Sequence, residues 1–389
     1  MSESIDLRPA QASASSEAEP SIVTDFPAPP APTSHTPTWE PVHLPHEILS
    51  AIFEKFLIHF DFDDLATARS TRRTLYNCCL VAMSWADPAQ RALYEHPLFT
   101  DRSLGQLAAP SQWLQGNARL RYITRAMDFA TSRYGLGTEV LLDVLGATTD
   151  LDDVRLGYIN SGDPWKLLTL PAVSHLTSLT LSKLDWWWTF PEAAEIPPLH
   201  LKTLNLTLRR DAPNVNLILA LFTTAAPTLH TLELELMNEP GHPGAGNDLS
   251  ACLDTFLPVI APTLCHVVLV VHYKIDGVER ILQQLPNLLS FRLDFRHELD
   301  HILTLYAVIH AIPTSVREVT FGWERRRSAE PELSVVLQTL NISLPSLSEL
   351  KKIELRGVDS EQLGDVSKVL VERMSERVEV VCRPWRGAW

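Results

Sequence analysis

The chain has 389 residues, of which 45% are hydrophobic and 21% charged, a composition typical of a soluble globular protein of two or three domains. A formal net charge of −14 repels phosphate backbones, so we expect no nucleic acid as the main partner. Because no apolar run is long enough for a transmembrane helix, we also expect no membrane partner. The start of the chain lacks the basic and apolar stretches of a signal peptide, and the five scattered cysteines lack CxxC spacing. Both features indicate an intracellular protein with reduced thiols, in the cytoplasm or the nucleus.

The first forty residues differ in composition from the rest of the chain. Pro, Ser and Ala occupy half of residues 1–40. Such a segment cannot bury enough apolar surface to offset the entropy lost on ordering. The sequence therefore predicts a disordered tail over residues 1–40, a helical domain over 41–100 and a larger domain over 101–389.

Apolar side chains at helical spacing follow the tail. A first helix is predicted after Pro45, since proline is tolerated in the first turn of a helix. Its apolar positions are Ile48, Leu49, Ile52 and Phe53. Residues 61–74 are polar and predict a connector, and residues 75–85 predict a second helix. Pro88 predicts a break before a third helix that ends near residue 94.

The remainder of the chain repeats the pattern L-x-x-L-x-L, with Val, Ile or Phe allowed at the apolar positions. Eight copies occur, and successive copies start 24 to 35 residues apart: 151–156, 176–181, 201–206, 229–234, 264–269, 288–293, 316–321 and 350–355. A weaker copy lies upstream at residues 120–125. This spacing is that of leucine-rich repeats, in which stacked strands and helices bury one continuous core.

Stretches with helical character separate the repeat copies. They are residues 216–226, 249–260, 278–285, 299–312 and 331–340. Ala-Pro or Leu-Pro precedes several copies and ends a helix before each strand. The predicted unit is thus strand, loop, helix and turn.

Residues 44–94 resemble an F-box. The first motif, Leu-Pro-x-Glu-Ile-Leu-x-x-Ile-Phe, runs from Leu44 to Phe53, and the second, Leu-Val-x-x-x-Trp, runs from Leu80 to Trp85. With the repeats, the chain resembles fungal-type F-box and leucine-rich-repeat proteins. This resemblance implies an α/β fold, in which a helical F-box-like module precedes a solenoid with parallel strands on one face and helices on the other.

The same resemblance implies a substrate-receptor subunit of a Skp–cullin–F-box ubiquitin ligase, without a catalytic site or a cofactor. The F-box would bind a Skp-type adaptor, and through it a cullin, while the repeats would bind a target protein. The adaptor-binding residues implied by the resemblance are Leu44, Pro45, Ile48, Leu49, Ile52, Phe53, Leu80, Val81 and Trp85.

Strand periodicity predicts which residues could hold a target. Side chains that alternate with the buried ones line the open face of the sheet, and the candidates there are Arg155, Asn205, Glu233, Arg292 and Asp294. The loops after the strands add a second set: Trp186, Trp187, Trp188, Trp323, Arg325 and Arg326. Three consecutive tryptophans cannot all face one core, and arginines are suited to an acidic or phosphorylated motif.

Two other functions are compatible with the sequence. One is a leucine-rich scaffold whose helical module binds no adaptor. The other is a zinc hydrolase, because His297, Glu298 and His301 match HExxH. Zinc sites need three or four converging ligands, however, and this motif directly follows a predicted strand, which places His297 in a loop.

Overall fold

The computed structural model describes most of the chain from Leu44 onward, and its described residues all fall in one compact unit. The described ranges are 44–58, 65–95, 124–129, 136–157, 159–184, 196–209, 215–237, 256–272, 277–296, 302–323, 330–358 and 363–384. The predicted tail over residues 1–40 and the predicted domain boundary at residue 100 lie outside them.

A sheet of ten parallel strands, paired side by side in chain order, dominates the described fold. Its strands are β1 (Ala126–Asp128), β3 (Asp153–Leu156), β5 (Ser178–Leu184), β6 (Thr203–Arg209), β7 (Thr231–Met237), β8 (His266–Val271), β9 (Ser290–Phe295), β10 (Glu318–Trp323), β11 (Lys352–Arg356) and β12 (Glu379–Arg383). A separate two-stranded pair consists of β2 (Leu136–Gly137) and β4 (Ile159–Ser161). The strand order and the helices between strands confirm the α/β class and give a solenoid-like arrangement.

Each of the eight predicted copies contains one strand, and the copies pair in the predicted register. The second apolar residue of each copy is the register partner of the second apolar residue of the next copy. These residues are Val154, Leu179, Leu204, Leu232, Val267, Phe291, Val319 and Ile353. Because these side chains alternate with polar ones, one face of the sheet is apolar and the other is polar. The strand positions and register predicted from the repeats over residues 151–355 are therefore confirmed.

The two outer strands differ from the sequence prediction. The upstream copy was placed at residues 120–125, whereas β1 starts at Ala126 and pairs Met127 with Val154. The position that is Leu in other copies is Thr124 here, a buried residue whose Oγ1 donates to the Tyr94 carbonyl, 3.2 Å away. At β12 the same position is Arg377, so the last strand also lacked the expected pattern.

Helices connect the strands and cover the apolar face. They are α4 (Thr138–Gly146), α5 (Pro171–Ser174), α6 (Val215–Ala225), α7 (Val278–Gln283), α8 (Ile302–His310), α9 (Glu330–Ser343) and α10 (Asp365–Ser375). Residues 256–260 are also helical. Neighbouring helices α7 to α10 contact one another in chain order. Four of the predicted connecting helices, α6 to α9, are thereby confirmed, and part of the fifth is seen at 256–260.

The N-terminal module consists of three helices: α1 (His46–Ile58), α2 (Leu65–Val81) and α3 (Met83–Glu95). Two predictions were wrong here. Residues 65–74 are helical and not a connector, because the segment is rich in Ala and Arg, which favour helix whatever their polarity. The break between helices falls at Ala82, and Pro88 lies buried inside α3.

The module has a small core of its own. Leu49 and Phe53 of α1, Leu75 of α2 and Ala89 of α3 are buried together, and Trp85 packs edge-on against Phe53 with ring centroids 6.1 Å apart. A hydrogen bond from the Arg125 N–H to the Glu95 carbonyl, 2.9 Å long, joins the end of α3 to the start of β1. The end of the helical module therefore lies next to the start of the first strand.

Within the part of the chain that the structure describes, no helix has both the length and the apolarity required to cross a membrane.

Candidate functional site

The open face of the sheet carries the predicted polar residues in continuous rows. One row across the strands comprises Arg155, Thr180, Asn205, Glu233, Val268, Arg292, Thr320 and Glu354. All of these are partly buried except Glu354, which is buried. Four of the five candidate residues on this face thus share one row, and Asp294 lies in the next row toward the carboxyl ends of the strands.

Hydrogen bonds and ion pairs link polar side chains on this face, between strands at Asn205 and within β9 at Arg292. The Asn205 amide donates to Thr180 Oγ1 at 3.3 Å. Arg292 binds Asp294 through two N–H groups, with Nε donating to Oδ1 at 3.0 Å and Nη2 close to the other carboxylate oxygen. These contacts hold the candidate side chains in fixed positions, so the face is an ordered polar surface.

Gly322 of β10 leaves space for the side chain of Asp294. A Cβ atom built on Gly322 would overlap Asp294 Oδ1. The two residues are register partners on adjacent strands. Because the Asp294 carboxylate lies across Gly322, a side chain at this point of the open face would push that carboxylate aside and disturb its contact with Arg292.

A second polar group surrounds Glu235 near the carboxyl ends of β6 to β9. Glu235 accepts a hydrogen bond from Thr207 Oγ1 at 3.0 Å and lies 3.1 Å from His272 Nε2 and 3.9 Å from Arg296 Nε. The hydrogen bond with His272 holds the pKa of Glu235 below its ordinary value, although burial opposes it, and Thr207 and Arg296 add to the effect. Glu235 is therefore an ionised carboxylate held on three sides.

A third group lies at the last two strands and has an excess of positive charge. The carboxylate of Glu354, with only 5% of its side chain exposed, lies 2.6 Å from Arg356 Nε, 3.4 Å from Arg383 Nε and 3.5 Å from Lys352 Nζ. Burial raises the pKa of Glu354, but Arg356, Arg383 and Lys352 together outweigh burial and hold that pKa below its ordinary value. One negative charge thus faces three positive ones.

The candidate residues predicted in the loops after the strands differ in where the structure places them. Trp186, Trp187, Trp188, Arg325 and Arg326 lie outside the described residues, as do His297, Glu298 and His301 of the HExxH motif. Trp323 was expected on an exposed loop, and this expectation was wrong. It is the last residue of β10 and only 1% exposed, with its ring centroid 5.6 Å from that of Phe295. The strand extends two residues beyond the repeat pattern, which places Trp323 in the core.

The nine adaptor-binding candidates fall into two groups according to their burial in the helical module. Leu49 and Phe53 are buried in the core of the module, and Leu44 and Trp85 are partly buried against it. The exposed group consists of Pro45, Ile48, Ile52, Leu80 and Val81.

The exposed group continues beyond the predicted residues. Leu80 is 70% exposed, and Tyr76 and Met83 join it on α2 and at the start of α3. Ile48 and Ile52 are one helical turn apart, so they lie on one side of α1. The module therefore presents large apolar side chains to solvent on all three of its helices, although each helix also contributes to an internal core.

The sequence reasoning missed Arg356, Arg383, His272 and Arg296. The residues His272 and Arg296 follow directly after β8 and β9, beyond the repeat pattern. Arg356 and Arg383 were missed because β12 was not predicted, so nothing placed the two side by side. The short apolar run Val380-Val381-Cys382, bounded by Glu379 and Arg383, is the signal that could have identified this strand.

Comparison with known proteins adds little to this geometry. Neither the protein-family models nor the curated proteins include a match to this chain. Seventeen chains of known structure match. Among them is a protein from Bacteroides fragilis solved as a structural genomics target, which is 13% identical, covers 74% of this chain and 72% of its own length, and has a TM-score of 0.45. This similarity is too distant to support an argument about function.

The fold and the polar face of the sheet together define the structural class of this protein. Over the residues that the structure describes, the chain is an α/β protein with a ten-stranded, all-parallel, solenoid-like sheet that presents one polar face.

Proposed function

We propose that this chain is a non-catalytic receptor subunit of a cullin-based ubiquitin ligase. Its helical module, with the F-box resemblance, binds a Skp-type adaptor, and the open face of its sheet binds a target protein. The receptor contributes proximity, because a target held near the transfer machinery experiences a high effective concentration. No bond is made or broken by residues of this chain in this proposal.

The observation that carries the proposal is the set of exposed apolar side chains on the helical module. Ile48, Ile52, Leu80, Val81 and Met83 are each 41% exposed or more. Exposed apolar groups of this size are typical of surfaces that another protein covers. Full burial of such a side chain contributes roughly 1.5–3 kcal/mol, and the half-exposed isoleucines contribute about half of that. Several together are sufficient for a stable complex.

The internal core of the module supports the same proposal. Leu49, Phe53 and Leu75 hold α1 and α2 against α3, so the exposed side chains are presented on a preformed surface. A preformed surface loses little entropy on binding. The target side is supported by the ordered row of charged and polar groups on the open face, which suits a polar segment of a protein.

Co-expression with a Skp-type adaptor tests the proposal. The wild-type chain should copurify with the adaptor, and Ile48→Asp should abolish copurification, because it places an unpaired charge in a desolvated interface. Val369→Asp is the matched control, since Val369 is an exposed valine on α10, far along the chain from the module. Circular dichroism verifies that both variants fold.

Three results would contradict the proposal. A wild-type chain that ignores the adaptor would favour the scaffold function. Retention of the adaptor by the Ile48→Asp variant would place the interface elsewhere. Equal loss with Val369→Asp would indicate a general effect of the added charge.

A further inference from the structure

The open face ends in two arginines that share one carboxylate. Arg356 of β11 and Arg383 of β12 are register partners, so their backbones lie about 4.8 Å apart. Both approach the same atom, Glu354 Oε1, and both do so through Nε. Among the described residues, Glu354 is the acidic partner of both side chains, and the Nη groups form the outer half of each guanidinium.

This arrangement differs from that of the other ion pair on the same face. Arg292 forms a two-point contact with Asp294, which is the geometry that satisfies a guanidinium and a carboxylate together. At Glu354, a single buried carboxylate would be compensated by one such arginine. The chain supplies two arginines and Lys352 instead. Lys352 has Glu318 and Glu379 as register partners on the adjacent strands, so one positive charge of the arginine pair remains without a counterion among the described residues.

Neighbouring acids do not neutralise this excess. Glu318 and Glu379 flank Lys352 at the other end of their strands, four residues from the arginine row, or about 13 Å along the sheet. Asp294 is nearer, two strands away from Arg356, and is occupied by Arg292. The arginine pair is thus a local positive site on a chain with a net charge of −14.

The site is also fixed in position and open to solvent. The Gly357 N–H donates to the Arg383 carbonyl at 2.8 Å, which ties the ends of β11 and β12 together. The side chain of Arg383 is 58% exposed and that of Arg356 is 38% exposed. Two guanidinium groups held side by side, both partly open to solvent and sharing one carboxylate, form a preorganised anion site.

We propose that Arg356 and Arg383 bind the carboxylate side chains of an extended acidic segment of the target protein. Charge complementarity selects this ligand, because the pair shares one carboxylate and so carries one uncompensated positive charge at the edge of an otherwise mixed polar face. Alternate side chains of an extended peptide point to one side, so acidic residues two positions apart can meet both guanidinium groups. The proposal names the ligand of the open face and rests on that part of the proposed function. It does not depend on adaptor binding.

Fluorescence anisotropy with a labelled peptide of alternating Glu and Asp tests this site on the purified full chain. The acidic peptide should bind, and the peptide with Gln and Asn at the same positions should not. Affinity should fall with rising salt, as expected for an exposed charge pair. Arg383→Gln should weaken binding about tenfold, the effect of losing one charge-assisted hydrogen bond.

Two variants keep the result interpretable. Arg377→Gln is the matched control, because Arg377 is exposed just before β12 and removal of its charge should change affinity less than twofold. Arg383→Lys retains the charge and loses the planar fork, so its affinity should lie between those of the wild type and Arg383→Gln. Glu354 keeps Arg356 and Lys352 in both Arg383 variants, so the fold should be retained, which circular dichroism can verify.

Several outcomes would overturn the proposal. These are no binding of the acidic peptide, equal binding of the amide peptide, and equal losses with Arg377→Gln and Arg383→Gln. A phosphoserine peptide that binds more than tenfold tighter would overturn the assignment to carboxylates. Adaptor copurification is measured separately, so failure here is distinguishable from failure of the adaptor proposal.

Discussion

Replacement of Gly357 by alanine tests how tightly the end of the open face is built. Gly357 follows β11 with a φ of +78°, and a Cβ atom there would overlap the carbonyl oxygen of Trp323. The left-handed backbone costs a non-glycine residue about 1–2 kcal/mol. Relief of the overlap requires β10 or the turn to move, at a further cost of about 1–3 kcal/mol, as in overpacked cores. We expect Gly357→Ala to lower the free energy of unfolding by about 2–5 kcal/mol.

The measurement is urea unfolding followed by far-UV circular dichroism, with Gly146→Ala as the control. Gly146 ends α4 and has no heavy atom within 4 Å of a built Cβ, so alanine there should be neutral or stabilising by up to about 1 kcal/mol. A change below about 1 kcal/mol at Gly357, or an equal loss at both glycines, would refute the reasoning.

Three further predictions concern the core and the buried carboxylates. Leu232→Ala, at a fully buried position of β7, should lower the free energy of unfolding in urea by about 2–5 kcal/mol, and a loss below about 1 kcal/mol would show that the sheet core is not packed as described. The pKa of Glu354 is lowered in the folded chain, so its stabilisation is complete above the ordinary value of 4.5 and is lost as the pH falls through the lowered pKa. Glu354→Gln should therefore flatten the fall in stability measured below about pH 4.5, and an unchanged pH profile would contradict this assignment. His272→Ala should raise the pKa of Glu235 toward its ordinary value, as measured by NMR titration of the carboxyl carbon, whereas an unchanged pKa would exclude the hydrogen bond as its main cause.

The strands were predictable where the leucines repeat, because a buried strand in this fold needs an apolar residue at every second position. This condition applies from Val154 to Ile353 and located eight strands in register. It fails at the outer strands, where Thr124 and Arg377 occupy the first position of the pattern. An outer strand has one neighbour instead of two, so its sequence carries a weaker pattern.

The sequence predicts which residues lie on the open face, but it does not predict which of them contact one another. Periodicity placed Arg292 and Glu233 on the polar side, since strand residues alternate between faces. It could not indicate that Asp294 lies across Gly322, because that contact depends on two residues from different strands. It also could not indicate which charges pair, because the lengths and rotamers of the side chains decide this.

The central claim is that the helical module binds a Skp-type adaptor, and titration calorimetry of the purified chain with a purified adaptor tests it most directly. We predict saturable binding at a ratio of one to one, with a negative heat-capacity change that reports burial of the exposed apolar side chains. Leu80→Asp should abolish the heat of binding, and Val369→Asp should leave it unchanged. No binding by the wild type, or unchanged binding by the Leu80→Asp variant, would contradict the account.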